Sequence, residues 1–79
     1  MIGINFKLTP RQHELLNFMN DKGELNKGGT FLTDISPGFS TNIIENLMKK
    51  GLLSEFNHSN DILYYLTDKG RLVLDEANA

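Results

Sequence analysis

Between Ser36 and Leu53 the chain carries its own punctuation, which leaves few ways to fold it. Ser36 can cap a helix start with its hydroxyl, and Pro37 suits a first helical position because no amide hydrogen is needed there. Gly51 can adopt the left-handed conformation that releases the chain at the other end. The segment therefore predicts a helix over 37–50. Phe39, Ile43, Ile44, Leu47 and Met48 recur at helical spacing and predict its buried stripe. The other side carries Thr41, Asn42, Glu45, Asn46, Lys49 and Lys50. Such a face is either merely solvated or built to hydrogen-bond with something.

The flanking segments decide what surrounds this helix. Leu52, Leu53 and Phe56 open a strand-like run, and Ile62 to Thr67 form a second one rich in β-formers. Asn57 to Asp61 are five polar residues suited to a loop between them, so a hairpin is predicted at 52–56 and 62–66. Thr67 then caps a last helix over 68–77, with Asp68 at the favourable end of its dipole. Upstream, Thr9, Pro10 and Gln12 form a capping box that starts a helix over 10–22, stopping near Gly23. Its Leu15, Leu16, Phe18 and Met19 face inward, and His13 is expected on the surface. Residues 22–30 are Gly-rich, but no Gly-Lys-Ser/Thr pattern follows a strand, so they read as a connecting loop. Residues 30–35 are expected to form a short helix with Phe31, Leu32 and Ile35 inward. Ile2, Ile4, Phe6 and Leu8 alternate with other residues, as in a strand or an arm packed on the body or on a partner. This order is that of an α+β fold, a small winged helix-turn-helix domain spanning 1–79, with a three-helix core, a β-hairpin wing and a C-terminal helix. The expected core is Leu15, Met19, Ile35, Phe39, Ile43, Leu47, Leu53, Leu63, Leu66 and Val73.

Two motifs add a resemblance. Ser36-Pro37-Gly38, Leu47 and Lys50-Gly51-Leu52-Leu53 resemble the recognition-helix signature of PadR-like transcriptional regulators. Tyr64 to Arg71 is similar to the end of the wing and the helix start shared by PadR-like and MarR-like regulators. The resemblance covers residues 36–74 and implies DNA binding and transcriptional regulation. The chain departs from the PadR-like pattern in three places. Thr41 replaces a usual aromatic, residues 54–63 contain no Arg or Lys, and the region after Gly70 is shorter than the usual dimerisation segment.

Composition narrows the function classes. A 79-residue chain buries only about 60% of its unfolded surface, so its core is modest. With no cysteine, neither disulfides nor thiolate metal sites can supplement it. A cytoplasmic location is the simplest expectation, and no apolar run approaches the roughly 18 residues that span a membrane. The N-terminus lacks a charged start followed by a long apolar core, so no signal peptide is expected. His13 and His58 have no spaced carboxylates or cysteine to complete a metal site, and no serine sits in a nucleophile elbow. Asp75-Glu76 reads as the exposed end of a helix. Neither catalysis nor a cofactor is expected.

The leading expectation is a sequence-specific regulator that binds double-stranded DNA as a homodimer. Its expected DNA-contacting residues are Lys27, Thr30, Ser40, Thr41, Asn42, Asn46, Lys49, Lys50, Asn57 and His58. Asn42 and Asn46 lie four apart, so both can enter one groove, where an amide can make two bonds to adenine. Lys49 and Lys50 suit phosphates, which hold position rather than specify sequence. The consecutive Leu72-Val73-Leu74 cannot all face one small core, which leaves Leu72 or Leu74, with Ile2 and Ile4, for a partner copy. Charge argues the other way: ten acids against eight bases give −2, with Glu45, Glu55 and Asp61 near the same face. The alternative is therefore a winged helix used for protein contact, as an interaction module or small inhibitor of a larger complex.

Overall fold

A computed structural model of the chain describes residues 8–25 and 29–79. Its elements run α1 (Pro10–Leu25), β1 (Thr30–Phe31), α2 (Leu32–Ile35), α3 (Thr41–Lys49), β2 (Leu53–His58), β3 (Asp61–Leu66) and α4 (Asp68–Ala77). Four helices and one antiparallel three-stranded sheet, in the order β1-β3-β2, make a small α+β domain. Lys27 and the alternating Ile2, Ile4 and Phe6 lie outside the described residues.

The capping box at the start of α1 is reciprocal. The Gln12 amide donates to Thr9 Oγ1 at 3.1 Å, and the Thr9 amide donates to Gln12 Oε1 at 3.0 Å. The helix does not stop at 22–23 but continues to Leu25, since an isolated glycine costs a helix about 1 kcal/mol relative to alanine without ending it. Leu15, Leu16 and Met19 are buried on its inner side.

The expected helix over 30–35 is a correction. Thr30 and Phe31 form a two-residue strand opposite Tyr64 and Leu63, and only Leu32–Ile35 is helical. A β-branched and an aromatic residue next to an open sheet edge gain more from cross-strand pairing than from one extra helical turn. Gly29 lets this strand approach β3, because a Cβ there would lie 2.6 Å from Leu63 Cδ1.

The start of α3 is a second correction. Ser36 has φ −61 and ψ −29, already helical, and serves as the C-cap of α2; the extended N-cap is Ser40, with φ −79 and ψ 157. Residues 36–40 form the turn between the two helices, closed by the Gly38 and Phe39 amides donating to the Ile35 carbonyl at 3.0 and 3.1 Å. Phe39 is turned inward, 5.7 Å from the Phe18 ring, while the Arg11 guanidinium covers its other side at 4.5 Å. Arg11 also donates to the Gly38 carbonyl, tying α1 to this turn. Phe39 and Ile44 occupy the N′ and N4 positions at which a hydrophobic staple fixes the entry of the chain.

The hairpin turn is tighter than expected. The ladder extends through Asn57↔Ile62 and His58↔Asp61, leaving Ser59 and Asn60 as a two-residue turn. Ser59 alone has positive φ, at 56, the φ pattern of a type II′ turn. Polar side chains on an outer strand do not interrupt backbone pairing, so Asn57 and His58 belong to β2 rather than to a loop.

Gly51, at φ 79, ends α3 as expected, and Thr67 caps α4 by accepting from the Gly70 amide at 3.0 Å. The same threonine donates its hydroxyl to the Gly51 carbonyl at 2.7 Å and its amide to the Leu52 carbonyl at 3.1 Å. Gly70 sits where α4 crosses this backbone: a Cβ would lie 2.1 Å from the Leu52 oxygen. Helix α4 packs on α1 through Val73 and Leu74, and a polar seam borders the contact. In that seam His13 Nε2 meets Asn78 Oδ1 at 2.8 Å, Asn78 Nδ2 donates to Asn17 Oδ1, and Arg71 donates to Asn20 Oδ1, each at 2.9 Å. His13 thus lies at the surface, as expected, half-buried and engaged in this exposed seam.

Of the expected core, Leu15, Met19, Ile35, Leu47, Leu53 and Val73 are buried, and Phe39, Ile43 and Leu66 pack partly buried against them. Leu63 is the exception. It lies beside Phe31 and Phe56 on the sheet side away from the helices, and Tyr64 takes the inward place. Leu16, Ile44, Leu52 and Leu74 complete the core.

Candidate functional site

The exposed side of α3 is sharply sorted. At about 100° per residue, Asn42 and Lys49 stand at its centre, Thr41 and Glu45 on one flank, and Asn46 and Lys50 on the other. Thr41, Asn42, Glu45, Asn46 and Lys49 are exposed, and Lys50, the C-cap, is half-buried. The helix keeps this orientation because Ile44 and Leu47 are buried on its opposite side, and because the 36–40 turn and the Gly51 exit fix both ends.

The other expected contact residues do not all join this surface. Ser40 is exposed beside it as the N-cap of α3, without a side-chain capping bond. Asn57 is exposed on β2, and the backbone of His58 is the last position of that strand, opposite Asp61. Thr30 is a correction: it is fully buried in β1 and cannot reach a ligand on the α3 face. Its Oγ1 has no hydrogen-bond partner among the described residues, because the inner side of the sheet surrounds it with apolar groups.

The sequence reading missed Tyr64. Thr30, Tyr64 and Glu55 form one row across β1, β3 and β2, so all three project to the helix side of the sheet. Tyr64 is buried, only 6% exposed. Burial first, then the negative fields of Glu55, Glu45 and Asp61, push the Tyr64 phenol above its ordinary value. Glu45 and Glu55 are both exposed, one on α3 and one on the hairpin. Asp61 is already engaged, accepting from Thr33 Oγ1 and from the Ile62 amide at 2.8 Å each.

A hairpin closed at 56 and 62, as expected from the sequence, would have set Glu55 opposite Leu63; the two-residue turn sets it opposite Tyr64. A shift of one residue exchanges the two sides of a strand, which is why the constellation was invisible beforehand. The available signal was Ser59-Asn60, a short polar pair able to make the tight turn.

The chemistry of this surface is therefore divided. Its centre and one flank offer amides and ammonium groups, and the other flank offers the Thr41 hydroxyl and the Glu45 carboxylate. Among the described residues no group of His, Cys, Asp and Glu could hold a metal ion, and no helix is long and apolar enough to cross a membrane. Comparison of the chain with protein-family models, curated proteins and solved structures finds no match.

Proposed function

We propose that this α+β domain is a winged helix-turn-helix and that α3 is its recognition helix, binding double-stranded DNA as a dimeric transcriptional regulator. The observation that carries this reading is the row Asn42, Asn46 and Lys49. All three are exposed, none serves the core, and they lie on a helix whose other side and both ends are fixed. Asn42 and Asn46 read base edges, and Lys49 with Lys50 grips phosphates. The hairpin contributes little to phosphate binding, since residues 54–63 hold no Arg or Lys. Leu72, 53% exposed beside the inward-packed Val73 and Leu74, supplies part of the dimer surface. Two symmetric copies of α3 then require half-sites about one helical turn, ~34 Å, apart.

The test is binding to genomic DNA fragments at low and moderate salt. Asn42→Ala costs ~1–3 kcal/mol on the preferred site and little on random DNA, whereas Lys49→Ala weakens all sequences alike and lowers the salt slope by about 0.9. Equal binding of parent and both variants to every fragment refutes the reading. A second reading, a winged helix used for protein contact, is favoured by one observation: the carboxylates of Glu45 and Glu55 stand where a wing would otherwise approach phosphates.

A further inference from the structure

We propose that the outer edge of β2 pairs with β2 of a second copy of this chain, antiparallel and centred on Phe56, joining two three-stranded sheets into one of six strands. In the order β1-β3-β2 the two outer strands have no further strand beside them among the described residues, but they differ in length. Strand β1 has two residues, too few to template a partner, whereas β2 pairs with β3 along its whole length without a bulge. Leu53–His58 contains no Pro, Lys or Arg, the residues that commonly blunt a sheet edge. Phe56, 57% exposed, lies in this strand. It shares one row with Leu63 and Phe31 on the sheet side away from the helices.

The sequence of β2 selects the register. Residues directly opposite each other in an antiparallel pair lie on the same side of the sheet, so a symmetric pair must centre on a residue rather than between two. Centring on Glu55 sets two carboxylates directly opposite each other, which destabilises a pair. Centring on Ser54 or on Asn57 pairs only part of the strand. Centring on Phe56 sets aromatic against aromatic, Glu55 against the second copy's Asn57, and Ser54 against position 58, with no like charges facing. The row Phe31, Leu63, Phe56 then runs on into its copy, which covers the most exposed large apolar side chain among the described residues. Both helical layers fall on one side of the joined sheet, and the two copies of α3, which packs on β2, stand next to the two-fold axis. This surface is additional to the Leu72 side of α4, and it holds whether or not α3 reads DNA.

The experiment is sedimentation equilibrium of the full chain carrying Leu72→Lys, which takes the α4 surface out of the measurement. One strand edge covers less than the roughly 800 Å² per partner of stable complexes, so a weak dimer is expected and loading runs to about 1 mM. The Leu72→Lys chain should still dimerise in that range. Adding Phe56→Lys, which sets two ammonium groups opposite each other at the centre, should weaken the dimer about tenfold or more. The register is read by disulfide formation with oxidised glutathione, since the chain has no cysteine and each single variant carries one thiol. Copies of position 56 meet at a Cα separation of about 5 Å, within disulfide reach, whereas copies of position 54 stand about 14 Å apart. Phe56→Cys should therefore cross-link and Ser54→Cys should not. The proposal is overturned if the Leu72→Lys chain is monomeric at about 1 mM, if Phe56→Lys leaves its association unchanged, or if Ser54→Cys cross-links as readily as Phe56→Cys. A parent dimer that Leu72→Lys abolishes sinks the edge pairing and leaves the α4 dimer standing, so the two failures are distinguishable. The far-ultraviolet circular dichroism of each variant, recorded first, separates loss of the edge from loss of the fold.

Discussion

Replacing Gly70 with alanine should damage this domain far more than its chemistry suggests. On propensity alone the change favours the helix by about 1 kcal/mol. The new Cβ, however, would lie 2.1 Å from the Leu52 carbonyl oxygen and 3.0 Å from its carbon, both backbone atoms with no side-chain freedom to yield. Ordinary contact needs roughly 3.5 Å, so α4 must retreat by about 1 Å or more from the α3 exit. That retreat stretches the Thr67 bonds to Gly51 and Leu52, now 2.7 and 3.1 Å, each worth about 0.5–1.5 kcal/mol. Overpacking adds about 1–3 kcal/mol. Subtracting the propensity gain leaves a net loss of about 1–5 kcal/mol, a fall in Tm on the order of 4–40 °C for a chain of this size. Gly38→Ala is the internal control, since nothing lies within 4 Å of its Cβ position and its φ is not positive. It should be neutral or stabilise by about 0.4–1 kcal/mol through the unfolded state. Thermal unfolding followed by far-ultraviolet circular dichroism measures both. A Gly70→Ala protein that melts with the parent, or a Gly38→Ala protein that falls as far, refutes the close-approach argument.

Three further outcomes follow from the sheet and from α3. Thr30→Val removes a buried hydroxyl that has no partner among the described residues while keeping a β-branched shape, and should raise stability by about 1 kcal/mol in urea unfolding; a loss instead would mean that the hydroxyl is satisfied. The Tyr64 phenol is held above its ordinary value, so between the unfolded and folded pKa values the folded state binds more protons. Its contribution is complete below about pH 10 and declines as pH rises through the folded value, and Tyr64→Phe should flatten that alkaline loss relative to the parent. Glu45→Gln removes a like charge from the α3 face and should tighten DNA binding at low salt, an effect that fades at high salt; unchanged affinity would show that DNA does not approach this flank.

Local signals were the legible ones. The capping box at Thr9 and Gln12, the Thr67 cap and the Gly51 exit each involve groups within a few residues, so their chemistry is written in adjacent letters. The α3 start was misplaced because both Ser36 and Ser40 are competent caps, and the choice depends on Phe39 turning inward between Phe18 and Arg11, residues of another helix. Strand β1 exists only by virtue of its pairing with β3, which no periodicity in two residues can announce. The candidate site divides the same way. Asn42, Asn46 and Lys49 were visible from helical spacing, whereas Tyr64 depends on a sheet register set by a turn one residue pair wide.

Thr67 and Gly51 are sixteen residues apart in the chain, and their bond closes the hairpin into a loop with a fixed root. The hairpin is therefore a cantilever. The rungs Leu53↔Leu66 and Ser54↔Tyr65 are pinned against the Gly51–Leu52 backbone, while His58↔Asp61 at the tip is tied back through the exposed bond from the Thr33 hydroxyl to Asp61. Amides near the root should open only with the whole domain, and those at the tip by local excursions of low free energy. Glu55 and Tyr64 form the third rung from the root, on the stiff part of the beam. Amides of this third rung should therefore exchange with those of the root rather than with those of the tip.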